Sequence, residues 1–250
     1  MSGIYIHIPF CKQACHYCDF HFSTNLKKKD EMVLALAKEI EMRKSEFQDE
    51  IVETIYFGGG TPSILQIADL KFLIDAVYKN YKVVENPEIT VEANPDDLTE
   101  NRIIELSNNK VNRLSIGIQS FFEDDLQLMN RAHNVEEAKK CLEIATHYFD
   151  NISIDLIYGV PEMSNEKWLQ NIETALSFGV PHISSYALTV EPKTALHSFI
   201  QKGIIPQPDD EVAQEHFQIL VDKLSENGFI HYELSNFGKE NYFSKNNSSY

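Results

Sequence analysis

Ile4-Tyr-Ile-His-Ile8-Pro9-Phe10-Cys11-Lys-Gln-Ala-Cys15-His-Tyr-Cys18 reads as an alternating strand, Ile4 to Ile8, ended by Pro9 and followed by a loop with three thiols. The chain's fourth cysteine, Cys141, lies far away in sequence. Gaps of three and then two residues let one loop curl its sulfurs around a centre, and soft thiolates suit iron–sulfur clusters, zinc or copper(I). A [4Fe-4S] cluster held by Cys11, Cys15 and Cys18 leaves one iron open to a small molecule, as an open position makes a metal catalytic rather than structural. On spacing alone, zinc held by the three thiols and one of His7, His16 or His21 stays open as an alternative, although zinc ligands usually come in two distant pairs. A disulfide leaves one thiol over and has no secretory signal behind it.

Outward from this loop the chain alternates strand and helix. Amphipathic periodicity predicts a helix from Asp30 to about Phe47, approached by the solvated run Lys27-Lys28-Lys29. Strands follow at Glu53 to Phe57, Glu88 to Glu92, Arg113 to Ile118, Asn151 to Tyr158 and His182 to Leu188. Between them fall helices at about Gln66 to Asn80, after Asp96-Asp97-Leu-Thr99, at Glu123 to Met129, Val135 to Tyr148 and Asn165 to Phe178. Strict βα alternation implies parallel strands with right-handed crossovers, and short strands rich in Ile, Val and Tyr fit a buried parallel sheet. Six such units can curve into an incomplete barrel; a flat doubly wound sheet competes on pattern alone. The barrel is favoured because the cysteine loop, Gly58-Gly59-Gly60, Glu92, Gln119 and Asp155 all fall at or just past the carboxyl ends of successive strands. Beyond the barrel (1–202), a region from 203 to 250 begins with Gly203-Ile-Ile-Pro206-Gln-Pro208. It continues with a capped helix, Asp209 to Asn227, and a further strand beside the barrel, Phe229 to Leu234.

At 250 residues and 43% hydrophobic, the chain can build one large domain with a substantial core. Lys+Arg 22 against Asp+Glu 38 gives a net charge of −16, which opposes nucleic acid and anionic lipid and suits a cationic ligand. No basic region followed by an apolar stretch opens the chain, and no run reaches the eighteen or so apolar residues of a membrane span, so with reduced thiols the expected compartment is the cytoplasm.

Cys-x3-Cys-x2-Cys with Tyr17 before the third cysteine resembles the signature of the radical S-adenosylmethionine (SAM) superfamily. The frame IYIHIPFC resembles its oxygen-independent coproporphyrinogen III oxidase-like family. The likeness continues in family order through YFGGGTPS (56–63), VEANP (91–95), GIQSF (117–121), MNRAHN (129–134), SIDLIYGVP (153–161) and HYELSNF (231–237). It implies a (β/α)6 partial TIM-type barrel with a [4Fe-4S] cluster on Cys11, Cys15 and Cys18. It also implies SAM contacts at Tyr5, Tyr17, Gly59, Gly60, Thr61, Glu92, Gln119, Arg131, Asp155 and Ala187, with His133 in support. Their chemistry agrees: glycines allow close backbone approach to the methionyl amine, Glu92 and Asp155 suit a cation, and Arg131 suits its carboxylate. Cys141 and Trp168 read as core. Gly58-Gly59-Gly60-Thr61 lacks the spacing and the Lys of a phosphate loop.

The resemblance implies reductive cleavage of SAM by a cluster fed from a flavodoxin- or ferredoxin-type electron donor. One position divides the family. Its oxidases carry a further cysteine two residues after the third cluster cysteine, where this chain has Cys18-Asp-Phe20, as in the haem-chaperone branch. The expected function is therefore binding SAM and haem and delivering haem to a respiratory protein. The alternative is oxidative decarboxylation of coproporphyrinogen III to protoporphyrinogen IX. The haem-chaperone branch usually shows His-Asn-x-x-Tyr-Trp, whereas this chain reads Asn246-Asn-Ser-Ser-Tyr250, with Asn in place of the histidine and the family's carboxy-terminal region still to come.

Overall fold

The computed structural model describes residues 2–46 and 50–249. Phe47, the expected end of the first helix, and Tyr250 lie outside the described residues. Six parallel strands, β1 (Ser2–Ile8), β2 (Val52–Gly59), β3 (Val83–Ala93), β4 (Arg113–Gln119), β5 (Ile152–Tyr158) and β6 (His182–Ala187), pair in the order of the chain. A doubly wound sheet reverses its strand order at a switch point. None occurs here: each strand adds to the last, so the sheet curls one way into a half-barrel.

The helices between the strands are set by stripes and caps. In α2 (Ile67–Asn80), Leu70, Leu73, Ile74 and Val77 are buried at helical spacing, each contributing about 1.5–3 kcal/mol on transfer from water. In α5 (Val135–Tyr148) the side chain of Asn134 caps the amide of Glu137 while the Glu137 carboxylate returns to Asn134. The first helix, α1 (Lys29–Met42), gives way to a 3-10 turn at Arg43–Glu46. Helices α3 (Glu100–Ser107), α4 (Glu123–Leu128) and α6 (Asn165–Ser177) complete the crossovers. Cys141 is buried in α5, and burial pushes its thiol up to about 12. Trp168 is fully buried and its Nε1–H donates to the His216 carbonyl at 2.8 Å.

Four details correct the sequence reading. Lys29 is not solvated approach: its Nζ lies 2.9 Å from Asp69 and ties α1 to α2. A short helix, α7 (Ala195–Gln201), follows β6 as well, because Thr194 caps it at His197 N. After α8 (Asp210–Glu226), the strand β7 (Ile230–Glu233) does not flank the barrel directly. It turns back into β8 (Asn236–Gly238), and β8 is what pairs with β6, antiparallel.

The fourth correction concerns the sheet itself. Its strands are not apolar on both faces. Ile55, Phe57, Ile89, Val91, Leu114, Ile116, Ile154 and Ile183 are buried on the helix-facing side. The period of two puts Thr54, Tyr56, Glu88, Thr90, Glu92, Arg113, Ser115, Ser153, Asp155, His182, Ser184 and Tyr186 on the other, facing the lumen. A half-barrel with a packed rind and a polar lumen results. The last turn of chain forms the lumen's floor: the amides of Lys245 and Asn246 donate to the Glu88 carboxylate at 3.0 and 3.4 Å, and the Ser244 amide to the Tyr232 hydroxyl. Below the lumen, Tyr232 donates to His182, whose other ring nitrogen meets the Ser153 hydroxyl at 2.6 Å.

Candidate functional site

The cysteine loop is fastened on three sides. Gly60 N–H donates to the Ile8 carbonyl and Thr61 N–H to the Phe10 carbonyl, at 2.8 and 2.7 Å, sewing the end of β2 to the loop entrance. The Thr61 side chain, close to Cys11, offsets part of the rise that burial imposes on the Cys11 thiol. The 128–130 turn holds the middle: His16 N–H donates to the Met129 carbonyl, Asn130 Nδ2 to the Ala14 carbonyl and Gln13 Nε2 to the Asn130 carbonyl. The amide of Leu196, in the first turn of α7, donates to the His16 carbonyl at 2.8 Å. These contacts leave Cys11, Cys15 and Cys18 half-buried and unbonded to one another.

His16 is spoken for, with its Nδ1 2.8 Å from the Leu128 carbonyl and its ring edge-on to Phe199. His7 packs over Gly59, and His21 is exposed. Among the described residues no group of three Cys, His, Asp or Glu side chains closes around a single ion. A mononuclear zinc site needs such convergence; a four-iron cluster holds its ligands at separate corners.

Arg131 sits under the loop. Its Nη2 donates to Asn94 Oδ1 at 2.7 Å and to the Gly117 carbonyl at 2.9 Å, while Nη1 reaches the Cys15 sulfur at 3.4 Å and the Tyr17 hydroxyl at 3.5 Å. Its Nε is buried and has no acceptor. Gln119, the last residue of β4, takes a left-handed backbone (φ 68°) at a break in register with β5. That turns its side chain back over Gly117, where a Cβ would stand 2.8 Å from Gln119 Nε2. His133 is buried against the Ile118 carbonyl at 3.1 Å; burial, with Arg131 nearby, lowers it to about 4, so it is neutral.

The second part of the site is a lumen cavity of about 220 Å³, lined by Tyr5, Tyr56, Glu92, Asp155 and Tyr186 above and by Arg113, Ser115, Ser184, Asn246 and Asn247 below. Glu92 accepts from the Tyr56 hydroxyl at 2.8 Å and from Gly59 N–H at 3.1 Å, and the latter bond joins cavity to loop. Burial pushes Glu92 up to about 7 against these two bonds, with Asp155 adding to the rise. Asp155 is raised to about 6 by burial, against the pull of Arg113 and Arg131. Asp155 is at the middle of β5, not its end, and so lies a layer deeper than the pattern of strand ends implies. Ala187 closes β6 opposite Tyr158, next to Tyr186.

Residues 5–175 match the radical SAM superfamily. The chain belongs to the radical SAM superfamily. Within it, the haem chaperone HemW of Bacillus subtilis is 38% identical over 253 residues, covering all of this chain and 67% of that protein. HemW of Lactococcus lactis is 34% identical over 250 residues, covering 100% of this chain and 65% of that protein. The chain thus spans about two thirds of the length of these curated relatives. The coproporphyrinogen III oxidase HemN of Escherichia coli, a radical SAM enzyme, superposes with a TM-score of 0.84 at 26% identity, over 96% of this chain and 56% of that one.

The superfamily implies a [4Fe-4S] cluster and SAM, and the residues of this radical SAM chain fit both. Three half-buried thiols share one fastened loop beside a guanidinium that can balance the charge of thiolates. Arg131 Nε lacks the acceptor that a ligand carboxylate supplies. Glu92 and Asp155 face the lumen, where a cation is welcome. Asn94, Tyr56 and Tyr186 were missed in the sequence. Asn94 stands inside VEANP and braces Arg131, and the two tyrosines share the alternation that marks the lumen face.

Glu92 gives a test of the lumen. A cationic ligand beside it favours the carboxylate, so binding releases a proton wherever free Glu92 is protonated. SAM affinity of reconstituted protein is expected to be about tenfold lower at pH 6 than on a plateau above pH 8, since each pH unit below the pKa of about 7 costs about tenfold. In Glu92→Gln the slope between pH 8 and 7 should vanish, leaving only the weaker fall near pH 6 that Asp155 contributes, when followed by equilibrium dialysis. The same slope in the variant would exclude Glu92 as the group responsible.

Proposed function

We propose that this protein is a HemW-like haem chaperone: a radical SAM protein that binds SAM and haem and hands haem to a respiratory acceptor. The observation carrying this reading is Phe20. It occupies the position where the family's oxidases carry a cysteine, and its side chain is 72% exposed beside the cluster loop. An exposed phenylalanine is not held there by packing, and it offers no thiol to chemistry. The greater likeness to HemW than to HemN points the same way.

In this reading Cys11, Cys15 and Cys18 hold the cluster, and Arg131, braced by Asn94, Gly117 and Tyr17, keeps a positive charge against Cys15. Arg131 Nε and Gln119 take the methionyl carboxylate. Gly59, Gly60 and Thr61 let the backbone approach the methionyl amine, and Tyr17 lies toward adenine. Glu92 and Asp155 accept from the ribose hydroxyls or the ammonium. Bound together, the two cofactors supply one-electron cleavage of SAM, for which a flavodoxin or ferredoxin is the fitting donor. No helix among the described residues is long and apolar enough to cross a membrane, in keeping with work in the cytoplasm.

A cavity of about 220 Å³ is smaller than the ~300–1,000 Å³ typical of sites for drug-sized ligands. Haem therefore belongs outside the lumen. Asn246, at the position of the branch's histidine, is 8% exposed on the lumen floor, so this chain by itself is expected to bind haem weakly.

The full-length protein, reconstituted with cluster, SAM and a competent reductant, should bind haem stoichiometrically and leave coproporphyrinogen III unconverted, with Phe20→Cys run beside it. Turnover of coproporphyrinogen by the unmodified protein would make the oxidase alternative the right one.

A further inference from the structure

The lower half of the lumen holds an arginine that none of the described residues pairs. Arg113, the first residue of β4, is 1% exposed. Its Nε has no acceptor, and among the described residues it forms no hydrogen bond or ion pair through its side chain. Asp155 and Glu92 act on it only through space, from the layer above. Glu88, in the neighbouring strand, is turned instead to the amides of Lys245 and Asn246. Buried charges are ordinarily paired and hydrogen-bonded, because desolvation without a partner is expensive. Here the sequence places a full positive charge in a closed-floored lumen and gives its partners other work.

We infer that Arg113, with Ser115, Ser184 and the floor residue Asn246, forms a subsite for a monoanionic carboxylate carried on a short alkyl arm of a larger ligand. All four line the one cavity. A planar guanidinium matches a carboxylate bidentately, while Ser184, whose hydroxyl donates to Asn236 Oδ1 at 2.7 Å, and Ser115, which supports Asp155, form the polar wall beside it. A dianion such as phosphate is disfavoured, because two carboxylates already stand over a single positive charge. Size limits the ligand to one arm. The bulk of such a molecule stays outside, at the opening framed by Tyr5 on β1 and Tyr186 on β6, both nearly half exposed. If the proposed function holds, the arm is a propionate of the tetrapyrrole; the carboxylate subsite itself does not depend on that reading.

The test uses sodium propionate on the whole chain, with sodium chloride and sodium phosphate at matched ionic strength as controls. Propionate should raise the melting temperature saturably, and [1-13C]propionate should show a bound carboxylate resonance; chloride and phosphate should do neither. Arg113→Gln should abolish both signals. Arg113→Lys, which keeps the charge and guards against a misfolded Gln variant, should weaken binding at least tenfold, since a point charge cannot make the paired contact. Saturating SAM should leave the propionate signal in place. No saturable propionate effect in the wild type, an equal effect in folded Arg113→Gln, or its loss on adding SAM would each overturn the assignment. SAM binding is measured separately in the same samples, so a failure of the SAM reading is seen on its own.

Discussion

Gly60→Ala is expected to cost the reconstituted protein its iron and sulfide as completely as Cys15→Ala does. A Cβ on Gly60 would lie 2.6 Å from the Phe10 carbonyl oxygen and 2.9 Å from both the Ile8 carbonyl oxygen and the Phe10 amide nitrogen. All three are backbone atoms, so no rotamer change relieves the clash. The loop entrance must move away from β2, breaking the Gly60 and Thr61 bonds that set where Cys11 stands. Overpacking of this kind usually costs about 1–3 kcal/mol, which the domain survives; the seam that places Cys11, held by the Gly60 and Thr61 bonds, does not. Gly58→Ala should be milder in iron content, because its Cβ meets side chains, Tyr5 and Glu92, that can turn aside. Cys141→Ala, remote in α5, should keep its full complement. Wild-type iron and sulfide in folded Gly60→Ala would show that the loop is positioned by something other than this seam.

Arg131→Ala should damage two measurable things at once. Losing the partner of the methionyl carboxylate weakens SAM by about 1.5–3 kcal/mol, roughly 10- to 150-fold, the scale of a charge-assisted hydrogen bond. The same change strips Asn94 Oδ1 and the Gly117 carbonyl of their donor and removes the cation beside Cys15. Melting temperature and cluster retention should therefore fall as well. Arg131→Lys keeps a charge but cannot span Asn94 and Cys15 together, so it should hold more iron than the alanine variant while binding SAM poorly. The cluster's electron paramagnetic resonance signal, with and without SAM, separates the two effects. Unchanged SAM affinity in Arg131→Ala would remove it from the ligand site.

The order of the βα units and the place of the cysteine loop could be read from the sequence because they rest on local signals: periodicity, caps, and Pro9 ending a strand. The lumen was also written there and passed over. Thr54/Tyr56, Glu88/Thr90/Glu92, Arg113/Ser115 and His182/Ser184/Tyr186 alternate with Ile, Val, Leu and Phe, yet a general expectation that parallel strands are apolar on both faces hid the period of two. What no local signal carried was pairing across the fold. The clamp of Glu88 on Lys245 and Asn246 joins residues 157 and 158 apart. The insertion of β8 between β6 and β7 depends on a hairpin too short to stand out. Arg131's hold on Cys15 links positions 116 apart, so its role as a brace for the loop shows only in three dimensions.

That floor clamp also sets an order of assembly. Each parallel strand neighbours the one made just before it, so the units can dock one after another as the chain leaves the ribosome, amino-terminal parts first. Contacts of large sequence separation form late, because the loop between them must close before they stabilise anything. Glu88 waits for Lys245. Until it arrives, Arg113 and His182 stand at the bottom of an open trough in contact with water, and the desolvation of an unpaired charge is deferred to the final closure. Folding is thereby spared its worst electrostatic step until nearly all the rind is packed, and a nascent chain halted before residue 244 should be a hydrated half-barrel with its floor open.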